Sequence, residues 1–234
     1  MRLLVLPGAL LAVLLWRQGD LLARICGLVL IFDLLVHVAP WRLPRSNWSA
    51  LKYWFEGLLY VVPMTLVGIG GVLLGAYWAV HTPGALWFLA GCALGCALVV
   101  LSRINLVGLY RGDLAFLAGP DRPSFVAARA ASVIVAPFPE ELFFRGAVLA
   151  LPNVDPLVAV LSATAFVARH HLLRGVDRWK RDLVLVEVAG AIGFTALTVA
   201  SHSVYPAMVA HVINNAPGAA VQLQRLRLSR ANAE

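Results

Sequence analysis

Charge is what this sequence has least of. Only 13% of its 234 residues are Asp, Glu, Lys or Arg, while 61% are hydrophobic and the mean hydropathy is +0.82. Soluble domains run to about 50% apolar residues, so this scarcity excludes an ordinary water-soluble globule and predicts an integral membrane protein. Acidic residues are scarcer than basic ones, 12 against 19, for a net charge of +7. Such a surplus can mark a nucleic-acid binder, but here Lys and Arg fall in short clusters between apolar runs, as in the loops of a membrane protein. No nucleic-acid partner is expected. Cysteine is scarce too. Cys26, Cys92 and Cys96 all lie inside apolar runs, which argues against a disulfide framework and suits small buried hydrophobes. Cys92 and Cys96 share a helix face, yet two thiols alone make a poor metal site. No small-residue cleavage site follows the first apolar run, which continues as "WRQGDLLAR", so a retained helix is expected rather than a removed leader. Without internal repeats or low-complexity stretches, one domain over 1–234 is the simplest organisation.

What is present is a succession of apolar runs. A spanning helix takes about 20 such residues, and eight runs approach that length, near 2–16, 21–41, 57–78, 85–107, 125–151, 157–173, 183–200 and 206–224. The break between the first two rests only on Arg17, Asp20 and Arg24. Pro and Gly in "HTPG", "AGPDRP" and "LPNVDP" mark three turns. The fold class expected is all-α, a multi-pass transmembrane bundle of about eight spans. Basic residues stay on the cytoplasmic side. Eight spans put 15 Lys and Arg residues on one face, with only Arg17 and Arg24 on the other, so both termini should be cytoplasmic. The segment "RLPRSNWSALKYWFEG" mixes Trp, Tyr and basic residues and suits a helix at headgroup level. Gly71 with Gly75, and Gly91 with Gly95, are small-residue pairs that let helices approach closely.

An ionisable side chain deep in a bilayer costs several kcal/mol on insertion scales, about 2.5–3.5, and normally faces a partner or a wet cavity. Such residues concentrate in the C-terminal half: Glu140, Glu141 and Arg145; Arg169, His170 and His171; Glu187; and His211, Asn214 and Asn215. Glu141 and Arg145 are four apart and pair on one helix face. Glu140 points about 100° away, which leaves it as the free carboxylate. Pro137 and Pro139 remove two backbone donors and predict a helix start or kink beside it. His211 and Asn215 project together at spacing four, with Asn214 the close alternative at spacing three. Arg169 is expected to snorkel towards the basic loop "RGVDRWKRD", and Glu187 to lie near the cytoplasmic interface. Three helices thus supply a base for water and donors for an oxyanion, the minimum for peptide hydrolysis. Counted from the expected helix ends, however, Glu140 falls near mid-bilayer, His170 nearer the cytoplasm and His211 nearer the outside.

"EELFFR" has the pattern EExxxR, "FVARH" (166–170) has FxxxH and "HVINN" (211–215) has HxxxN. In this order they resemble the CPBP family of intramembrane proteases (CAAX protease and bacteriocin-processing type), over residues 125–220. The resemblance implies a catalytic core there, in which Glu140 and His170 activate water, His211 and Asn215 stabilise the oxyanion, and Glu141 and Arg145 support the site. It implies a membrane-associated protein or peptide as substrate: a CAAX-like C-terminus, a bacteriocin-type peptide or a C-terminal sorting signal. No cofactor is expected, a glutamate mechanism being preferred; the alternative is a zinc ion held by Glu140, His170 and His211, although HExxH is absent. The short chain and basic face suit a prokaryotic plasma membrane. A competing function is an ion- or proton-coupled transporter using the same Glu and His residues, but such proteins often carry repeats, and none is found here.

Overall fold

The computed structural model describes residues 2–38, 50–74, 80–119, 121–149, 156–174 and 181–231. Among them the protein is helical throughout, with only an isolated bridge between Val80 and Ser203 outside the helices and turns. A 3-10 turn at Arg2–Val5 leads into α1 (Leu6–Arg17) and α2 (Leu21–Val38). The weak sequence break between them is a tight turn. Gly19 takes φ +78°, a conformation cheap only for glycine, and Asp20 accepts a hydrogen bond from the Ala23 amide at 3.1 Å, capping the second helix.

Helices α3 (Ala50–Leu74) and α4 (Ala85–Leu101) follow. The fourth run therefore ends at 101 rather than 107. Beyond it lie two short helices, α5 (Leu106–Arg111) and α6 (Asp113–Ala118), divided by Gly112 at φ +84°. The third helix, by contrast, starts at Ala50, seven residues before the expected span. The interfacial stretch "RLPRSNWS" lies outside the described residues.

The fifth run is broken into α7 (Pro123–Val135), α8 (Pro137–Glu141) and a π-helical turn, Leu142–Ala147. The start of α8 at Pro137 is the helix start that Pro137 and Pro139 foretell. Three long helices complete the chain: α9 (Pro156–Arg174), α10 (Arg181–Ser201) and α11 (Tyr205–Ala231), the last reaching past its expected end at 224.

Two packed clusters position these elements. Leu11, Leu15, Cys26, Met64, Phe143 and Phe166 belong to the larger one, where α1, α2, α3, the π turn and α9 meet. Leu98, Val186, Phe194, Ala207 and Ala210 form the second, between α4, α10 and α11. Glycines set the closest approaches. A Cβ on Gly95 would lie 2.7 Å from the Ile213 Cβ and 2.8 Å from the Ala210 carbonyl oxygen, and one on Gly91 would lie 2.5 Å from the Pro206 oxygen. The Gly91/Gly95 pair therefore seats α4 against α11. Gly71 likewise faces Ala147 on the π turn; its expected companion, Gly75, lies outside the described residues.

The outer surface is apolar. Leu10, Leu28, Leu35, Leu66, Leu73, Leu89, Val160 and Ile192 are all exposed, while Asp33, Glu140, Glu141, Arg145, Arg169 and His211 are buried. This inversion of the water-soluble pattern is what a lipid environment demands. By length and composition, Val184–Ser201 within α10 can cross a membrane; Leu3–Arg17, Gly57–Leu73 and Ala85–Leu101 are apolar but shorter.

Candidate active site

The motif residues converge. Glu140 and Glu141 sit on α8, Arg145 on the π turn, His170 on α9, and His211 with Asn215 on α11. Glu140, His170 and His211 each offer an atom lying within 4.8 Å of the others. The separation expected from helix counting is thus absent: the three lie together once the helices are assembled. A cavity of about 540 Å³ opens there, lined by Glu140, His170, His211, Asn214 and Asn215 together with Glu187.

Glu141 makes the expected pair, accepting from Arg145 Nη1 at 3.2 Å. It is fully buried, and the same oxygen, Oε1, accepts from His211 Nδ1 at 2.8 Å. A carboxylate can only accept, so His211 Nδ1 carries a proton and Nε2 is turned towards Glu140, 3.8 Å from its Oε2. His170 is fixed by the same logic. Its Nδ1 lies 2.9 Å from the Phe166 carbonyl oxygen, one turn back on α9, and its Nε2 is also 3.8 Å from Glu140 Oε2. Two imidazoles, each anchored through Nδ1, thereby aim Nε2 at one carboxylate oxygen.

Phe166, the first residue of FxxxH, does more than lend its carbonyl. The Arg145 guanidinium lies 4.2 Å from its ring centroid and 5.6 Å from that of Phe194, and Phe194 stacks on the His211 ring at 5.0 Å. Arg145 Nε and Nη2 are buried without a hydrogen-bond acceptor; the aromatic faces around the cation offset part of that cost. The π turn matters here. Its wider winding, with the Val148 amide bonded to the Phe143 carbonyl, is a distortion frequent at functional sites, and it carries Phe143, Phe144 and Arg145 into the core.

Three expectations need correction. Glu140 is not a free carboxylate: its Oε1 accepts from Arg169 Nη1 at 2.6 Å. Arg169 does not snorkel towards the loop after α9. It is buried, and its Nε also donates to both oxygens of Asp33 on α2, at 3.2 Å each. Glu187 is not apart from the site: it lines the cavity, with Oε2 2.9 Å from His171 Nε2. Asp33 was the missed residue. Its signal was available, a lone acid in the apolar run of α2, but nothing local says which of the distant cations it meets. Asn215 does line the cavity beside His211, and its Nδ2 donates to the Val133 carbonyl at 3.3 Å, so one amide hydrogen holds α7 and the other is available to a ligand.

Residues 122–217 match the family model described as Rce1-like, type II CAAX prenyl endopeptidase Rce1-like. The match spans less than half of the chain, covers α7 to the middle of α11, contains all three motifs and bears out the resemblance drawn from them. No curated protein and no solved structure matches the chain.

Proposed function

With residues 122–217 carrying the signature of the type II CAAX prenyl endopeptidases, which makes the chain a membrane-bound protease in general terms, we propose that it hydrolyses peptide bonds with a water activated by Glu140. The observation that carries this reading is the aim of both Nε2 atoms, from His170 and His211, at Glu140 Oε2, each at 3.8 Å. That separation is too long for a direct hydrogen bond. It suits a water in contact with the carboxylate and an imidazole, since two contacts of about 2.8 Å bridge it at a bent angle.

In this mechanism the water lies against Glu140 Oε2 and His170 Nε2. Glu140 takes its proton as the oxygen attacks the scissile carbonyl carbon, and later passes that proton to the leaving amine. The developing oxyanion is met by the free Asn215 amide hydrogen and by His211. For His211 to donate, it must carry a second proton on Nε2.

A zinc mechanism is the second reading, favoured by the donor set itself. Glu140, His170 and His211 are suitable ligands, and both histidines have Nδ1 partners of the kind that orient zinc ligands. A bound zinc would act as a Lewis acid on the water and the carbonyl. Bonds of about 2.1 Å in a tetrahedral site place ligand atoms roughly 3.4 Å apart, so the groups would have to close from 3.8 Å.

The substrate is a membrane-associated protein or peptide, in a setting of about eight spans with both termini cytoplasmic. The deciding experiment uses purified protein and an internally quenched peptide bearing a farnesylated cysteine followed by three residues, with bacteriocin-type and sorting-signal peptides in parallel. Glu140→Ala, His170→Ala and His211→Ala are expected to fold and not to cleave. Full activity in the Glu140 variant would remove the mechanism, and loss with chelator restored by zinc would replace it with the second reading.

A further inference from the structure

We propose that Asp33, acting through Arg169, is a positioning residue for the Glu140 carboxylate, so that α2, outside the family-matched segment, completes the site. This rests on the peptidase reading above and adds to it a part of the machinery that lies outside all three motifs.

Arg169 divides one guanidinium between two acids. Nε lies 3.2 Å from both Asp33 oxygens, and Nη1 lies 2.6 Å from Glu140 Oε1. All three side chains are buried. Glu140 therefore has one oxygen held and the other turned to the two imidazoles. The planar fork of an arginine makes such a division directional in a way that a lysine ammonium does not.

Asp33 is what keeps the fork from closing wholly on Glu140. A guanidinium released on one side prefers a two-pronged grip on its remaining carboxylate. In the absence of Asp33, Arg169 would take both Glu140 oxygens, drawing Oε2 away from His170 and His211 and occupying the lone pairs that accept the proton from water. The guanidinium that ties α2 to α9 through Asp33 is thus the same one that holds the proposed base on α8.

The test compares Asp33→Asn, Asp33→Glu, Arg169→Gln and the double variant Asp33→Asn/Arg169→Gln with the parent on the farnesylated peptide, with Glu140→Gln as the inactive control. Misplacing a catalytic group by about 1 Å can cost on the order of 100-fold. For Asp33→Asn we expect kcat to fall roughly 10- to 100-fold with KM within about twofold. Asp33→Glu should recover part of the loss, and the double variant should be no slower than Arg169→Gln alone, because Asp33 has no effect without the residue it acts through. An unchanged kcat in Asp33→Asn, or independent losses that multiply in the double variant, would overturn the proposal while leaving the peptidase reading intact.

If the parent cleaves none of the peptides, the peptidase reading fails by itself, and the relay is decided by thermal unfolding in detergent. Asp33→Asn and Glu140→Gln should then be non-additive with Arg169 present and additive in an Arg169→Gln background. Additivity in both backgrounds overturns the relay. The double variant removes the charges of Asp33 and Arg169 together, so that relative to Arg169→Gln it no longer leaves the Asp33 carboxylate without that guanidinium.

Discussion

At the scale of single residues, the interior of this protein is governed by how each buried charge is answered. Glu141 has no exposure and holds two partners at once, Arg145 and His211. Truncating it strands a guanidinium that already has two nitrogens without acceptors. Glu141→Ala should therefore destabilise the protein by about 3–5 kcal/mol, read as a lower thermal unfolding midpoint in detergent. Glu140→Gln has a different signature. It keeps volume and two hydrogen-bonding atoms but cannot take a proton, so turnover should fall by roughly 10²–10⁴-fold with a much smaller change in unfolding. Comparable losses of stability and turnover in both variants would contradict this division between a structural and a reacting carboxylate.

Among elements, α4 and α11 deserve to be treated as one unit. The second helix presents His211 and Asn215 to the cavity, and the first sets its position through glycines that admit no side chain. Because a Cβ at Gly95 would press on Ile213 and the Ala210 backbone, Gly95→Ala should cost about 1–3 kcal/mol by overpacking, visible as a lower unfolding midpoint. Turnover should drop as well, since α11 moves with its catalytic side chains. The same substitution at Gly84, where nothing lies within 4 Å, serves as the control, and an equal effect there would refute the packing argument. The broken run α7–α8 acts at this scale too. Two prolines and a π turn mark what would otherwise be one span; Glu140 lines the cavity while Glu141 and Arg145 lie buried in the core.

For the whole molecule, the arrangement is apolar outside and charged within. Lipid cannot hydrogen-bond a carboxylate, so the acids and guanidiniums satisfy one another inside while leucines and isoleucines face outward. Two outcomes follow for the intact protein. Under the water mechanism, incubation with a zinc chelator leaves cleavage unchanged, whereas a loss that added zinc reverses would establish the metal. Cysteines introduced near either end of a variant lacking Cys26, Cys92 and Cys96 should react with a membrane-impermeant thiol reagent only after permeabilisation, as the distribution of basic residues requires.

The sequence by itself determined the helical character, pointed to a membrane setting and singled out most of the residues that line the cavity. Composition points to the membrane, and ionisable residues in apolar runs are so costly that they announce themselves, with spacings of four fixing which share a face. It could read Glu141 with Arg145, and that Glu140 must look elsewhere, because both follow from the pitch of one helix. Only the tertiary structure decided where Glu140 looks. Its partner Arg169 is 29 positions away, and the acid that steadies Arg169 is 136 positions from it. Such contacts depend on which helices become neighbours, a matter of shape and packing across the bundle that no local periodicity records. The meeting of Glu140, His170 and His211 within 4.8 Å was decided the same way, by which helices pack side by side once the elements are assembled.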